Sequence, residues 1–189
     1  MNKKTLRLEY IAKRNSLDLT EKREKEEKIK HILFENFDFS NKITSCFLPI
    51  TSKNEIDTWI ILSEIKKIGG AIALTIWDVH TNCITHRLWT NETQILINSF
   101  GIPEPINGDY ILNNQLDIVL VPLLAVDNIG NRVGYGKGVY DRMLASCSVK
   151  TIFIGLSLFE LVDRIEDVDA YDIPLTYCIT PTKCVFFEK

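Results

Sequence analysis

The chain has 189 residues, 46% of them hydrophobic and 25% charged, which supports one domain with a sizeable core and is short for two. Its net charge is −3 and its pI is near 5.7, so no global basic field draws nucleic acid or an anionic membrane, and an anionic ligand has to be held locally. No apolar run reaches the roughly 18 residues of a membrane span. The opening segment MNKKTLRLEYIAKRN is amphipathic and charged, unlike a signal sequence. Cys46, Cys83, Cys147, Cys178 and Cys184 form no CxxC pair. We therefore expect a cytoplasmic monomer with reduced thiols.

In chain order, Leu6, Tyr10 and Ile11 share a face at helical spacing and predict a helix over 2–15, with Lys3, Lys4, Arg7, Lys13 and Arg14 around the rest. Those cations read as a solvated face, although two residues four apart, such as Lys3 and Arg7, can also grip one polyphosphate. A second helix is expected over 20–37, capped by Asp18 or Thr20, with Ile29, Leu33 and Phe37 inward and Glu21/Lys25, Glu24/Lys28 and Glu26/Lys30 as ion pairs on a solvated face. A strand over 43–48 ends at Pro49. A helix is then expected over 55–67, closed by Gly69 and Gly70, with Glu55 at its N-terminus where the dipole favours a carboxylate. Strands are expected over 71–77 and 83–89, joined by DVHTN. His80, Cys83 and His86 do not make a metal site, because residues three apart in extended chain face opposite ways and no further ligand follows. Two prolines and a glycine in FGIPEP, at 100–105, predict an irregular loop.

Residues 117–125 are nearly all apolar and predict a buried parallel strand interrupted only by Pro122. Asp127, Asn128 and Gly130 make a turn. Gly134, Gly136 and Gly138 then alternate along the chain, a spacing that lets backbone N–H groups converge on an anion, and a helix from near Val139 would add its positive end. Arg132, Lys137 and Arg142 bring cations to the same stretch, and Asp141 could hold magnesium against a phosphate. GYGKG is neither the Walker loop nor the dinucleotide fingerprint, so phosphate loop and plain connecting turn both stand on spacing alone. A strand over 151–156, a short helical or turn segment from 160, a strand within 171–180 and a last strand over 184–187 complete the chain. Strands alternating with helices predict an α/β fold, a three-layer sandwich with a mainly parallel sheet, and a ligand crevice at the carboxyl ends of its strands.

The run PLLAVDNIGNRVGYGKGVYDRML at 122–144 resembles the signature of the 5-formyltetrahydrofolate cyclo-ligases, also called methenyltetrahydrofolate synthetases. FGIPEP at 100–105, EIDT at 55–58 and YDIPLTYCIT at 171–180 resemble further segments of that family. The resemblance implies one cyclo-ligase domain over 1–189, with the architecture shared by sugar-phosphate isomerases and coenzyme A transferases. It also implies an activity, the ATP- and magnesium-dependent closure of 5-formyltetrahydrofolate, with or without a polyglutamate tail, to 5,10-methenyltetrahydrofolate. By that resemblance Lys3, Arg7, Arg132, Gly134, Gly136, Lys137, Gly138 and Tyr140 bind ATP, with Lys137 and Arg132 also catalytic. Ile50, Glu55, Trp77, Phe100 and Val139 line the folate, while Asp141 and Asp172 hold the metal. Trp77 and Phe100 read equally as core aromatics on composition alone. The chain departs from the family pattern at Thr75, at Pro181 and at Val139, where a tyrosine is usual. Two alternatives remain: an enzyme of another class on the same architecture, and a catalytically weakened folate- or nucleotide-binding regulator.

Overall fold

A computed structural model describes residues 1–188. Helix α1 (Lys3–Ser16) is started by Asn2, whose side chain accepts the Thr5 N–H at 2.9 Å, and it buries Leu6, Tyr10 and Arg14 four residues apart. Helix α2 (Leu19–Asn36) is capped by Asp18, which accepts the N–H groups of Thr20 and Glu21, both at 2.8 Å. It turns Ile29 and Leu33 inward as expected. Of the expected ion pairs Glu21–Lys25 forms, at 3.6 Å, while Glu26 and Lys30 take other partners. Lys22 reaches the buried Glu26 at 2.8 Å and Lys30 pairs with Glu27, because the helix rolls Glu26 toward the interior.

The strands are β1 (Ile43–Cys46), β2 (Ala71–Asp78), β3 (Cys83–Leu88), β4 (Ile95–Ile97), β5 (Pro103–Pro105), β6 (Tyr110–Ile111), β7 (Ile118–Pro122), β8 (Ala125–Val126), β9 (Arg132–Val133), β10 (Ile152–Leu156), β11 (Tyr177–Ile179) and β12 (Cys184–Phe186). Helices α3 (Trp59–Lys67) and α4 (Val139–Ala145) complete the regular elements among the described residues, apart from short 3-10 turns. Eight strands form one sheet in the order β12-β11-β10-β7-β1-β2-β3-β6. Pairing is parallel at β7-β1-β2 and at β10-β11, and antiparallel at both edges. The α/β class with a mainly parallel central sheet is thus as the alternation of elements led us to expect.

Four local expectations are corrected. Residues 117–125 are not one strand. Pro122 has no N–H to continue the ladder, and Leu124 turns instead to Val133, donating at 2.7 Å into the β8–β9 hairpin. Helix α3 begins at Trp59 rather than 55, since Asn54 takes a left-handed conformation and the Thr58 hydroxyl is committed to the Phe47 carbonyl at 2.7 Å. Glu55 therefore lies outside the helix. Residues 100–105 are not wholly irregular. Asn98 accepts the N–H groups of Phe100 and Ile102 at 2.9 and 3.1 Å, turning the chain so that β4 pairs with β5. From 160 to the start of β11 the chain forms no helix but runs irregularly, bridged once to β8 and its turn by the Val162 N–H on the Val126 carbonyl at 2.9 Å.

The chain forms two compact units. The first comprises Met1–Phe37, Val121–Gly138 and Phe153–Lys189, the second Asp38–Leu120 and Val139–Ile152. In the first, Leu6 and Tyr10 pack with Leu124, Ala125, Val133 and Ile165.

Candidate functional site

In the first unit the glycine loop is built on Asp127. This buried carboxylate accepts the N–H groups of Ile129 and Asn131 on one oxygen (3.1 and 2.9 Å), and Asn131 Nδ2 and the Ile165 N–H on the other (3.0 and 3.1 Å). With every strong acceptor direction filled, the β8–β9 hairpin leaves the core at a fixed angle. The loop that follows has Gly136 at φ 88° and Gly138 at φ 63°, the alternation of hand from which anion-binding backbone nests are made. A side chain at Gly136 would be strained by that φ and would come within 3.0 Å of the Arg7 guanidinium.

Helix α1 ties this loop down. Arg7 Nε donates to the Gly134 carbonyl at 2.9 Å, and Arg14 donates to the Tyr135 hydroxyl at 2.6 Å with its guanidinium over the Tyr135 ring. Lys3, one turn from Arg7, forms an ion pair with Asp172. Arg132 donates to the Ile173 carbonyl. Lys3, Arg7, Arg132, Gly134, Gly136, Gly138 and Asp172 are thus brought together within one unit from three distant stretches of sequence. Lys137 is exposed on the loop.

In the second unit, Glu55 is buried and accepts the Ile50 N–H at 2.8 Å, so this pair closes the short loop after β1. Trp77 and Phe100 face each other with ring centroids 5.1 Å apart at 55°. Phe100 is 51% exposed, so about half of that side of the pair lies open. The Trp77 N–H is fixed on Glu104 at 2.7 Å. Val139, Tyr140 and Asp141 lie half-buried on α4. His86 lies on β3. It is buried between the Ser45 hydroxyl (2.8 Å from Nε2) and the Asn113 amide oxygen (3.0 Å from Nδ1), and burial pushes its pKa down to about 4 against the Asn113 bond, which favours the charged form. Asn113 in turn donates to Ser146 at 2.7 Å, just beyond α4.

Among the described residues no cluster of three or more His, Cys, Asp or Glu is placed to hold a metal. Asp172 Oδ2 already accepts the Lys3 ammonium and the Asp169 N–H. Asp172, in the first unit, is nonetheless a hard oxygen donor of the kind magnesium takes, and that ion needs only one or two carboxylates beside water and phosphate oxygens.

Four participants escape a reading of the sequence alone. Arg14, taken as part of a solvated face, is buried and bonded to the loop; its place four residues after Tyr10, on the stripe begun by Leu6, is the signal that finds it. Asn82, Glu104 and Asn113 carry no such local signal, because each acts on a partner fixed only by the fold.

The sequence model of the 5-formyltetrahydrofolate cyclo-ligase family matches residues 1–181. The Escherichia coli (strain K12) 5-formyltetrahydrofolate cyclo-ligase is 30% identical over 136 residues, 68% of this chain and 73% of that one. The Mus musculus 5-formyltetrahydrofolate cyclo-ligase is 29% identical over 171 residues, 85% of this chain and 79% of its own. In structure, the chain is similar to the Aquifex aeolicus 5,10-methenyltetrahydrofolate synthetase, with a TM-score of 0.81 and 30% identity over 100% of this chain and 94% of that one. With the match running through every element that carries the site, the chain belongs to the 5-formyltetrahydrofolate cyclo-ligase family.

Proposed function

We propose that this protein converts 5-formyltetrahydrofolate to 5,10-methenyltetrahydrofolate at the expense of ATP, releasing ADP and phosphate. The observation that carries the reading is the reach of α1: Lys3 and Arg7, one helical turn apart, contact Asp172 and the Gly134 carbonyl, so the cations meet the glycine loop and the segment at 171–180 together.

The chemistry asks little of a nucleophilic side chain. A formamide carbon is weakly electrophilic and its oxygen leaves poorly. Transfer of the γ-phosphoryl group to that oxygen gives an iminium phosphate, which N10 of the same folate attacks before phosphate departs. Lys137 and Arg132 neutralise charge on the transferring phosphoryl group. Lys3, Arg7, Tyr140 and the backbone at Gly134, Gly136 and Gly138 hold the nucleotide. Ile50, Glu55, Trp77, Phe100 and Val139 orient the folate, with the open face of Phe100 supporting the pterin. Asp141 and Asp172 would hold magnesium, which when bound supplies charge neutralisation for the phosphates. The negative net charge supports small-molecule partners over nucleic acid or membrane, and we propose a cytoplasmic monomer. No helix of the described residues is long and apolar enough to cross a membrane.

The test is an absorbance assay for the methenyl product run beside ADP detection. Product and ADP should rise together, and only with 5-formyltetrahydrofolate, ATP and magnesium all present. Folate binding without product would leave a binding protein in place of the enzyme.

A further inference from the structure

Asn82, the last residue of the turn between β2 and β3, makes two connections at once. Its backbone is left-handed (φ 54°), a conformation that asparagine tolerates better than most residues. Its carbonyl accepts both Nε and a terminal nitrogen of Arg142 on α4, at 3.2 and 3.1 Å. Its side-chain oxygen accepts the Trp77 indole N–H at 3.1 Å. An indole has a single polar atom, so a partner there, with Phe100 packed against the ring, fixes the plane of Trp77 as well as its position. Arg142 follows Val139, Tyr140 and Asp141 on the same short helix. Two acceptors on one residue therefore tie the orientation of the aromatic pair to the placement of α4.

We propose that Asn82 is a positioning residue for folate recognition, holding Trp77 in register with α4 so that Trp77 and Phe100 present a fixed edge to the flat bicyclic pterin. The proposal rests on the reading that these two aromatics face the folate. A side chain that acts through Trp77 in this way governs the folate Michaelis constant and leaves nucleotide handling alone.

Three variants of the full chain decide it. Asn82→Gly keeps the left-handed backbone and the carbonyl that Arg142 uses, and removes the side-chain oxygen that the indole donates to. It should raise KM for 5-formyltetrahydrofolate about fivefold with KM for ATP and kcat within about twofold of the parent. Asn82→Asp retains an acceptor at the same reach, tolerates the same φ, and should restore the folate KM. Trp77→Ala reports on the underlying reading and should raise the folate KM at least as far as Asn82→Gly does. An unchanged folate KM in Asn82→Gly beside a raised one in Trp77→Ala overturns the role of Asn82 and keeps the aromatic wall. Unchanged values in both variants overturn the wall and the proposal with it. A rise in both substrates' KM in Asn82→Gly, a lowered melting temperature and no rescue by Asp would make Asn82 a turn residue only, which also overturns it.

Discussion

The two units hold their candidate residues by different means. In the first, charged side chains from α1 reach across to a carboxylate and to main-chain oxygen, as Lys3 does at Asp172 and Arg7 at Gly134. In the second, main-chain N–H groups, a neutral imidazole and ring packing do the work: the Ile50 N–H on Glu55, the Trp77 N–H on Glu104 and its ring on Phe100, His86 between Ser45 and Asn113. The difference bears on ligand exchange. A cation on an oxygen partner can take a phosphate oxygen instead at little net cost, because one charge-assisted bond replaces another. A carboxylate held by main-chain N–H groups has no such exchange with a phosphate oxygen, and it keeps its shape whether or not a ligand is present. On the proposed function, the α1 cations of the first unit exchange their oxygen partners for those of a polyanion, and the aromatic pair of the second meets a flat, largely apolar guest.

The carboxylates give the sharpest way to break that comparison. Asp141→Ala and Asp172→Ala should each lower turnover by roughly a thousandfold, about 4 kcal/mol of transition-state stabilisation, since charge on the transferring phosphoryl group is then left uncompensated. Cooperative melting of both variants separates this from misfolding. Near-parental product formation by either at limiting magnesium would remove that residue from the metal's ligands.

The next effect is one of stability and belongs to the second unit. His86 is held neutral, with its pKa near 4 in the folded state against an ordinary value of 6.5. As pH falls below 6.5 the unfolded chain gains a proton that the folded chain refuses, so stability declines and the decline is complete near pH 4. Its full size is roughly 3 kcal/mol. Carboxylates titrate in the same window, so the measurement is the difference between the parent and His86→Gln in denaturant unfolding at pH 7 and pH 4.5. The parent should lose more; equal losses would show that the imidazole is wetter than its burial indicates.

Smaller again are the straps of the first unit. Lys3→Ala and Arg7→Ala should each raise KM for ATP about tenfold, or ~1.4 kcal/mol, with KM for folate almost unmoved and the gap narrowing as salt is added. Equal effects on the two substrates would dissolve the division between nucleotide and folate residues.

How much of this was legible in the sequence follows the same divide. Helix α1, the capping Asp18 of α2 and the glycine alternation at 134–138 depend on neighbours close in sequence, and the spacing of residues shows them. Arg14 reads as solvated because its partner, Tyr135, arrives from a distant stretch of the chain. Glu55 was misplaced on a helix because its carboxylate folds back to Ile50, a bond that no propensity encodes. The strand over 117–125 was overextended because an apolar run looks alike whether it continues a sheet or, after Pro122, turns into the β8–β9 hairpin. Local periodicity specified the elements. Side chains whose partners lie on other elements needed the fold.

The smallest expected effect comes from Val139, at the start of α4, where the family pattern usually has tyrosine and this chain has valine. Valine keeps an apolar wall but offers no ring, and an aromatic contact of that kind contributes roughly 0.5–1.5 kcal/mol beyond the area it buries. Val139→Tyr should therefore lower KM for 5-formyltetrahydrofolate several-fold. The ATP constant should stay nearly still, because the backbone at Gly134, Gly136 and Gly138 and the side chain of Lys137 are untouched. Val139 is half-buried in this structure, which leaves part of the position open to a larger side chain. The kinetics of this one variant, taken with a melting curve, test whether folate recognition in the second unit is a matter of aromatic surface. A protein that melts cooperatively but binds folate no better, or worse, would mean that Trp77 and Phe100 already supply all the ring contact the pterin uses, and that the wall is built around valine.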